Sequence, residues 1–332
     1  MTARKRVILA EPNGFCAGVR RAITIVERAL EIHGPPIYVR KEIVHNHHVI
    51  RALQQRGAIF VDTEDGVPPD AICVFSAHGV APAVRANSTE RGLRTIDATC
   101  PLVSKVHQEA QRFARAGRTV LLVGHASHEE VEGTRGEAPD RTIVVESVPD
   151  AERLSLPPDT PVGVLTQTTL AMDETNDIVE VLRGRFSDVQ EPPGGDICYA
   201  STNRQNAIKA IAPLSDIVLV VGSRNSSNSL RMVEVAREAG VAAHLVPDPA
   251  ELDAGWLRDV RTVGVSAGAS APAVLVEQLL DRLVELGYED IEIHNLVTEN
   301  LTFGLPHALD RVGGQPAGSA EQHPQQEKGA PW

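Results

Sequence analysis

Three cysteines in this chain stand where a thiol does chemistry. Cys16 in "GFCAGVRRAI", Cys100 in "DATCPLVSKV" and Cys198 in "ICYASTNRQ" each mark the point where an extended segment gives way to a helical one. A helix N-terminus presents unpaired N–H groups and partial positive charge, which favours a thiolate, either as nucleophile or as metal ligand. For any one of them alone, the plain alternative is a small buried hydrophobe that happens to begin a helix. Three at the same kind of junction, 84 and 98 residues apart, point to a shared purpose. Three thiolates can serve zinc, an iron–sulfur cluster or redox chemistry. Structural zinc draws on close Cys-x-x-Cys pairs, and the chain has none. A 4Fe–4S cluster normally takes four cysteines, so three leave one iron open to bind substrate as a Lewis acid. The fourth cysteine, Cys73 in "AICVFSAH", lies in an apolar strand and reads as core.

The elements that must position these thiols repeat. After each cysteine helix come a strand, loop and helix: "IYVRKEIVHNHHVIRAL", "VLLVGHASHEEVEGTRGEA" and "IVLVVGSRNSSNSLRMVEVA". A short extended piece follows, then a strand with a polar turn: "ICVFSAHGV", "VGVLTQTT" and "VGVSAGASAP". This triplication predicts an α/β fold of three small domains with mainly parallel sheets about a pseudo-threefold axis. The carboxyl ends of the strands would face one centre, where open α/β sheets bind ligands. The expected divisions are 1–98, 99–195 and 196–288. Each strand leading into a cysteine is free to pair with the preceding sheet, the N-terminal one with the third domain. Residues 289–309 alternate like a strand and should pack back on the body. Residues 310–332, rich in Gly, Pro and Gln, read as a disordered tail.

The loops at equivalent slots carry His45 and Asn46, His78, His125, His128 and Glu130, Thr168, then Ser226, Ser227 and Asn228, and finally Ser270. Hydroxyls, amides and histidines ahead of helices form an anion cradle. One helix end supplies only about 0.3–1 kcal/mol, so several must converge to hold a diphosphate in an acidic protein. His47, His48, His107 and His125 read as surface or local structure, and Glu129 and Glu132 as solvated surface. Glu130 is placed to donate a proton, though the pattern alone does not choose among the three glutamates.

Composition bounds the rest. With 332 residues and a net charge of −12, the chain has no broad attraction to nucleic acid or to anionic membranes. The start lacks a signal-peptide core, and no apolar run approaches the roughly 20 residues of a membrane span, so a cytoplasmic location is expected. Scattered cysteines in a chain this long do not make a secreted disulfide framework.

At these residues the sequence closely resembles the LytB/IspH family of 4-hydroxy-3-methylbut-2-enyl diphosphate reductases, over about residues 5 to 305. "GFCAGVRRAI", "EIVHN", "SAHGV", "DATCPLV", "GHASHEEVEGT", "TQTT", "ICYASTNRQ", "GSRNSSNS" and "SAGASAP" occur in that order. The resemblance implies that Cys16, Cys100 and Cys198 ligate a central 4Fe–4S cluster with an open iron. It implies that His45, His78, His128, Ser226, Ser227, Asn228 and Ser270 bind the diphosphate. Thr168 and Glu130 would hold the substrate hydroxyl and relay protons beside His128. The implied reaction is reductive dehydroxylation to isopentenyl and dimethylallyl diphosphate, the last step of the non-mevalonate pathway. Ser201 stands where the family more often has threonine, and the tail has no counterpart. Neither a G-x-G-x-x-G fingerprint nor a P-loop lysine occurs, so no bound NAD(P) or flavin is expected, and electrons should come from a separate ferredoxin or flavodoxin. A zinc-dependent phosphohydrolase and a non-enzymatic redox or iron sensor are the competing readings.

Overall fold

Strands built from consecutive Val, Ile and Leu residues have no polar face and need cover on both sides, as in parallel sheets. In the computed structural model, which describes residues 4–309, this is how the chain is organised. It opens with β1 (Arg6–Glu11) and α1 (Ala17–His33). The first unit follows with β2 (Ile37–Arg40), α2 (His47–Gln55), β3 (Ala58–Val61), β4 (Ile72–Phe75), α3 (Pro82–Glu90) and β5 (Arg94–Asp97). The second holds α4 (Pro101–Arg115), β6 (Thr119–Val123), α5 (Glu129–Gly136), β7 (Thr142–Val145), α6 (Val148–Arg153), β8 (Val162–Thr166), α7 (Met172–Arg185) and β9 (Val189–Gln190). The third holds α8 (Tyr199–Ile211), β10 (Ile217–Val221), α9 (Ser227–Glu238), β11 (Ala242–Val246), β12 (Thr262–Ala267), α10 (Ala273–Glu285) and β13 (Asp290–Asn295). The segment read as a tail, 310–332, lies outside the described residues.

The three sheets run in one strand order: β3-β2-β4-β5, β7-β6-β8-β9 and β11-β10-β12-β1-β13, every pairing parallel. The strand leading into each cysteine closes the preceding sheet. β5 lies on β4 ahead of Cys100, β9 on β8 ahead of Cys198, and β1 on β12 ahead of Cys16, from Arg6 opposite Thr262 to Leu9 opposite Val265. The helix after each cysteine packs on the next sheet. Ile23 and Val26 of α1 meet Ile37 and Val39, Val106 and Phe113 of α4 meet Val120 and Leu165, and Ile208 and Ile211 of α8 meet Ile8 and Val218. The chain thus passes from unit to unit at the three thiols, and Cys73 sits fully buried on β4.

β13 adds an outer strand to the third sheet, from Arg6 opposite Asp290 to Glu11 opposite Asn295. The chain then runs back over the cysteine turns, held by two arginines. Arg204 on α8 is fully buried and donates from Nε and Nη2 to the Gly14 carbonyl, at 3.1 and 2.6 Å, and from Nη1 to Ala200 O and Glu299 Oε1, both at 3.0 Å. Gly14, at φ +66°, occupies the left-handed region that favours glycine, and this turn aims its carbonyl at the guanidinium. Arg21 on α1 donates to Gly304 O at 2.7 Å and to Ala98 O and Thr99 O just ahead of Cys100.

Removing one partner of a buried ion pair strands the other charge, at about 3–5 kcal/mol. Glu299→Ala should therefore lower the urea midpoint by an amount of that order. A midpoint shift corresponding to under about 1 kcal/mol would mean that the Arg204 clamp does not hold the segment.

Candidate active site

Each cysteine caps its helix, Cys16 ahead of α1, Cys100 ahead of α4 and Cys198 ahead of α8. Their backbone N–H groups are held alike: Cys16 N bonds Ala269 O at 3.2 Å, Cys100 N bonds Ala77 O at 2.9 Å, and Cys198 N bonds Thr168 O at 3.0 Å. Each acceptor lies two residues beyond the end of β12, β4 or β8. Three equivalent bonds at three equivalent places aim the thiols at one centre. The turns are also tied to one another, because Ala17 N donates to the Tyr199 hydroxyl at 3.1 Å.

All four cysteines are free thiols. The expected helix-end effect does not prevail at two of them. Burial pushes the Cys100 thiol up to about 12 and the Cys198 thiol up to about 11, so these sulfurs need a positive centre to become thiolates. Room for such a centre is kept by Gly18, where a Cβ would stand 2.7 Å from Cys100 Sγ and 3.8 Å from Cys16 Sγ. A single tetrahedral zinc, with Zn–S bonds of about 2.3 Å, would bring sulfurs to roughly 3.8 Å of one another. The three thiols are not among the described groups whose donor atoms all lie within 4.8 Å. Their spread fits a polynuclear cluster better than one ion, and a cluster fits three thiols left without a fourth.

The three thiols line one cavity. The twelve residues singled out in the sequence all line it: the cysteines, His45, His78, His128, Glu130, Thr168, Ser226, Ser227, Asn228 and Ser270. No lysine or arginine lines it. Asn46 does not join them, since its buried side chain accepts from His48 N and Val49 N and caps α2.

Three rings form one cluster. His45 stacks on His78 with centroids 4.0 Å apart, and His128 meets both edge-on at 5.4 and 5.7 Å. Hydrogen bonds assign their tautomers. His128 Nδ1 accepts the Glu130 N–H at 3.2 Å, and burial pulls this ring down to about 3, so it is neutral with its proton on Nε2, a ready donor. His45 and His78 instead turn Nδ1 to Glu42, at 3.0 Å, and to Glu129, at 3.2 Å. With Nδ1–H held there, Nε2 donates only once the ring is protonated. Burial and the neighbouring His45 lower the His78 pKa, so an incoming anion must bring protons with it. Glu129 is thus not solvated surface; burial pushes its carboxyl up, but the hydrogen bond to His78 and the charges around it, Lys41 among them, together draw it below its ordinary range. Glu132, salt-bridged to Lys41, is exposed as expected.

Glu130 is 2% exposed. Burial raises it to about 7, against the pull of Thr168, whose N–H donates to Oε1 at 2.6 Å and whose hydroxyl donates to Oε2 at 3.0 Å. A carboxyl poised near neutrality is suited to general acid work. On the third unit, Ser226 Oγ accepts from Ser229 N, and Ser227 Oγ accepts from Gln167 Nε2 and Thr169 Oγ1, so both hydroxyl hydrogens are free for a ligand. Asn228 Oδ1 takes the Ala269 N–H while one Nδ2 hydrogen goes to Ser201 Oγ. Ser270 is engaged, donating to His45 O at 2.9 Å.

Sequence reading missed Arg204, Glu299, Tyr199, Glu42 and Phe303, the last lining the cavity from the returning C-terminal segment. Only Glu42 left a trace, three residues ahead of His45. No helix among the described residues is long and apolar enough to cross a membrane.

Comparison with known proteins agrees with this geometry. A family model described as "LytB protein" matches residues 7–284. A 4-hydroxy-3-methylbut-2-enyl diphosphate reductase of Mycolicibacterium paratuberculosis is 57% identical over 307 residues, 92% of each chain. A protein of the same name from Tropheryma whipplei is 56% identical over 306 residues, 92% of this chain and 98% of its own. The solved structure of the E-1-hydroxy-2-methyl-but-2-enyl-4-diphosphate reductase from Plasmodium falciparum matches with a TM-score of 0.90 at 38% identity, covering 92% of this chain and 97% of that one. A second structure, of (E)-4-hydroxy-3-methyl-but-2-enyl diphosphate reductase, matches with a TM-score of 0.61 at 32% identity over 85% of this chain and 99% of that one. With its three thiols on one cavity and these relatives along almost its whole length, the chain belongs to the LytB family.

Proposed function

We propose that this protein is a reductase of 4-hydroxy-3-methylbut-2-enyl diphosphate that works in the cytoplasm. It would take two electrons and two protons to release the allylic hydroxyl as water and leave isopentenyl or dimethylallyl diphosphate. The observation that carries this reading is the meeting of three thiols, three histidines and one raised carboxyl on a single cavity formed by all three units. The names of the relatives support the substrate.

Cys16, Cys100 and Cys198 would hold a 4Fe–4S cluster, which when bound supplies electrons one at a time and an iron able to polarise a carbon–oxygen bond. The rest falls to side chains. His128 Nε2–H, the free hydroxyl hydrogens of Ser226 and Ser227 and the spare Nδ2 hydrogen of Asn228 would grip the diphosphate, with Ser270 turning from His45 O to join them. Dianionic oxygens would draw a proton onto His78, whose new charge Glu129 balances, while His45 faces the same anion with Glu42 on its Nδ1. Anchoring that end fixes the allylic end beside Thr168. Protonated Glu130 would donate to Thr168 Oγ, freeing the threonine hydrogen for the leaving hydroxyl, and the proton would cross one hydroxyl without bulk water. A ferredoxin or flavodoxin would deliver the electrons.

Anaerobic purification followed by iron and sulfide analysis tests the cofactor, with about four irons per chain expected. Cys16→Ser should lose most of that iron, and full retention would separate the thiols from the cluster. A colourless protein holding zinc would favour the hydrolase reading.

Glu130→Gln should keep cluster and substrate binding while turnover with a reduced donor falls by at least about 100-fold. Turnover within a few-fold of normal would take Glu130 off the proton path.

The raised carboxyl also makes a prediction about stability. A group protonated more readily in the folded state contributes fully below its unfolded pKa of 4.5, and that contribution is lost as pH rises through about 7. In cluster-free protein, Glu130→Gln should therefore gain on the parent between pH 4 and 8, by on the order of 3 kcal/mol. Parallel pH–stability curves would show that Glu130 ionises normally.

A further inference from the structure

We infer that His47, His48 and Asp248 form a binding site for a borderline divalent cation, with zinc as its probe, that joins the first unit to the third. The histidines are the first two residues of α2, and Asp248 follows β11. Their donor atoms all lie within 4.8 Å of one another, and the two rings lie 4.1 Å apart, tilted by 42°. Two imidazole nitrogens and a carboxylate oxygen make a donor set that zinc and its neighbours prefer, with positions left for water.

The state of His48 is what distinguishes this group from a chance surface cluster. Its Nε2 is buried without a hydrogen-bond partner, a rare condition for a polar atom, and stands 3.6 Å from Asp248 Oδ2. The ring also contacts the Pro247 carbonyl. Nε2 is thus the ring atom left open to a ligand. The frame is rigid as well. Asn46 caps α2 through the N–H groups of His48 and Val49, and Asp248 Oδ1 takes the Ala250 N–H at 2.9 Å, leaving Oδ2 for a metal.

Occupancy would pin the start of α2 to the third unit only two residues beyond the cavity-lining His45. Two other contacts already join these units there, Asn225 with Glu42 and Ser270 with the His45 carbonyl. The site does not depend on the proposed reaction. A second group with donors within 4.8 Å, His45, His78 and Glu129, is the internal competitor, but there each Nδ1 already has a carboxylate and the rings belong to the cavity.

Cluster-loaded protein, kept anaerobic and freed of adventitious metal, should be dialysed against zinc and its zinc absorption edge recorded. One zinc per chain is expected, with an N/O shell at about 2.0–2.1 Å and no sulfur at about 2.3 Å. Affinity should fall at least about tenfold in His48→Gln and in Asp248→Asn, the second of which keeps the acceptor for Ala250 N–H. Zinc should also raise the thermal midpoint of the parent, but not of Asp248→Asn. A sulfur shell, unchanged affinity in both variants, loss of zinc in Glu129→Gln instead, or no zinc retained at concentrations on the order of 1 μM would each overturn the assignment.

Discussion

The hydrogen bond from each cysteine N–H to a carbonyl just beyond the end of a neighbouring strand is the constraint from which this architecture follows. For Cys16, Cys100 and Cys198 to be held by Ala269, Ala77 and Thr168, the strand ahead of each must close the sheet that supplies the carbonyl, while the helix behind it covers the next sheet. Applied three times, that rule makes the units interdependent. None of the three sheets is complete without a strand that leads into a cysteine turn, and β1 reaches the third sheet from the far end of the chain. The Arg204 and Arg21 clamps then tie the returning segment to the same turns, so chain closure and thiol placement are one problem.

The electrostatics of the cavity follow from the same burial. In a chain of net charge −12, a cavity for a polyanion would ordinarily carry lysine or arginine, and none lines it. Its donors are neutral hydroxyls, an amide and an imidazole whose proton is directed by the Glu130 N–H. Two further imidazoles, His45 and His78, each turn Nδ1 to a carboxylate, and burial lowers the His78 pKa, so a bound anion favours the charged form of His78. Burial also raises Glu130 and the thiols of Cys100 and Cys198. One low-dielectric space thus keeps a proton on the acid and leaves the sulfurs waiting for a positive partner.

What could be read from the chain alone was whatever depends on local pattern and repetition. Runs such as "IVLVV" and "ICVF" announce strands covered on both faces, a cysteine at each helix entry recurs three times, and equivalent loops carry equivalent polar groups. Those features gave the fold class and a wider set of loop residues, Asn46 and His125 among them, which the family resemblance narrowed to the twelve found on the cavity, because period and recurrence survive in one dimension. Choosing Glu130 over Glu129 and Glu132 needed the family resemblance, since three neighbouring glutamates on one turn look alike until their burial is known. Glu129 shows the limit plainly. It reads as a solvated acid, and it is the partner of His78 only because α5 of the second unit is packed against a loop of the first.

By itself, then, the sequence determined the three α/β units, the thiols at their helix entries and the chemistry of the loops around them. Tertiary structure alone decided which sheet each entering strand joins, which nitrogen of each histidine carries its proton, that burial outweighs the helix ends at Cys100 and Cys198, and that a buried arginine binds Gly14 to Glu299. It also decided that His47 and His48 meet Asp248. The physical reason is common to all of these. Each depends on the depth of a group and on a partner from a distant part of the chain, and neither burial nor long-range pairing is encoded in the spacing of neighbouring residues.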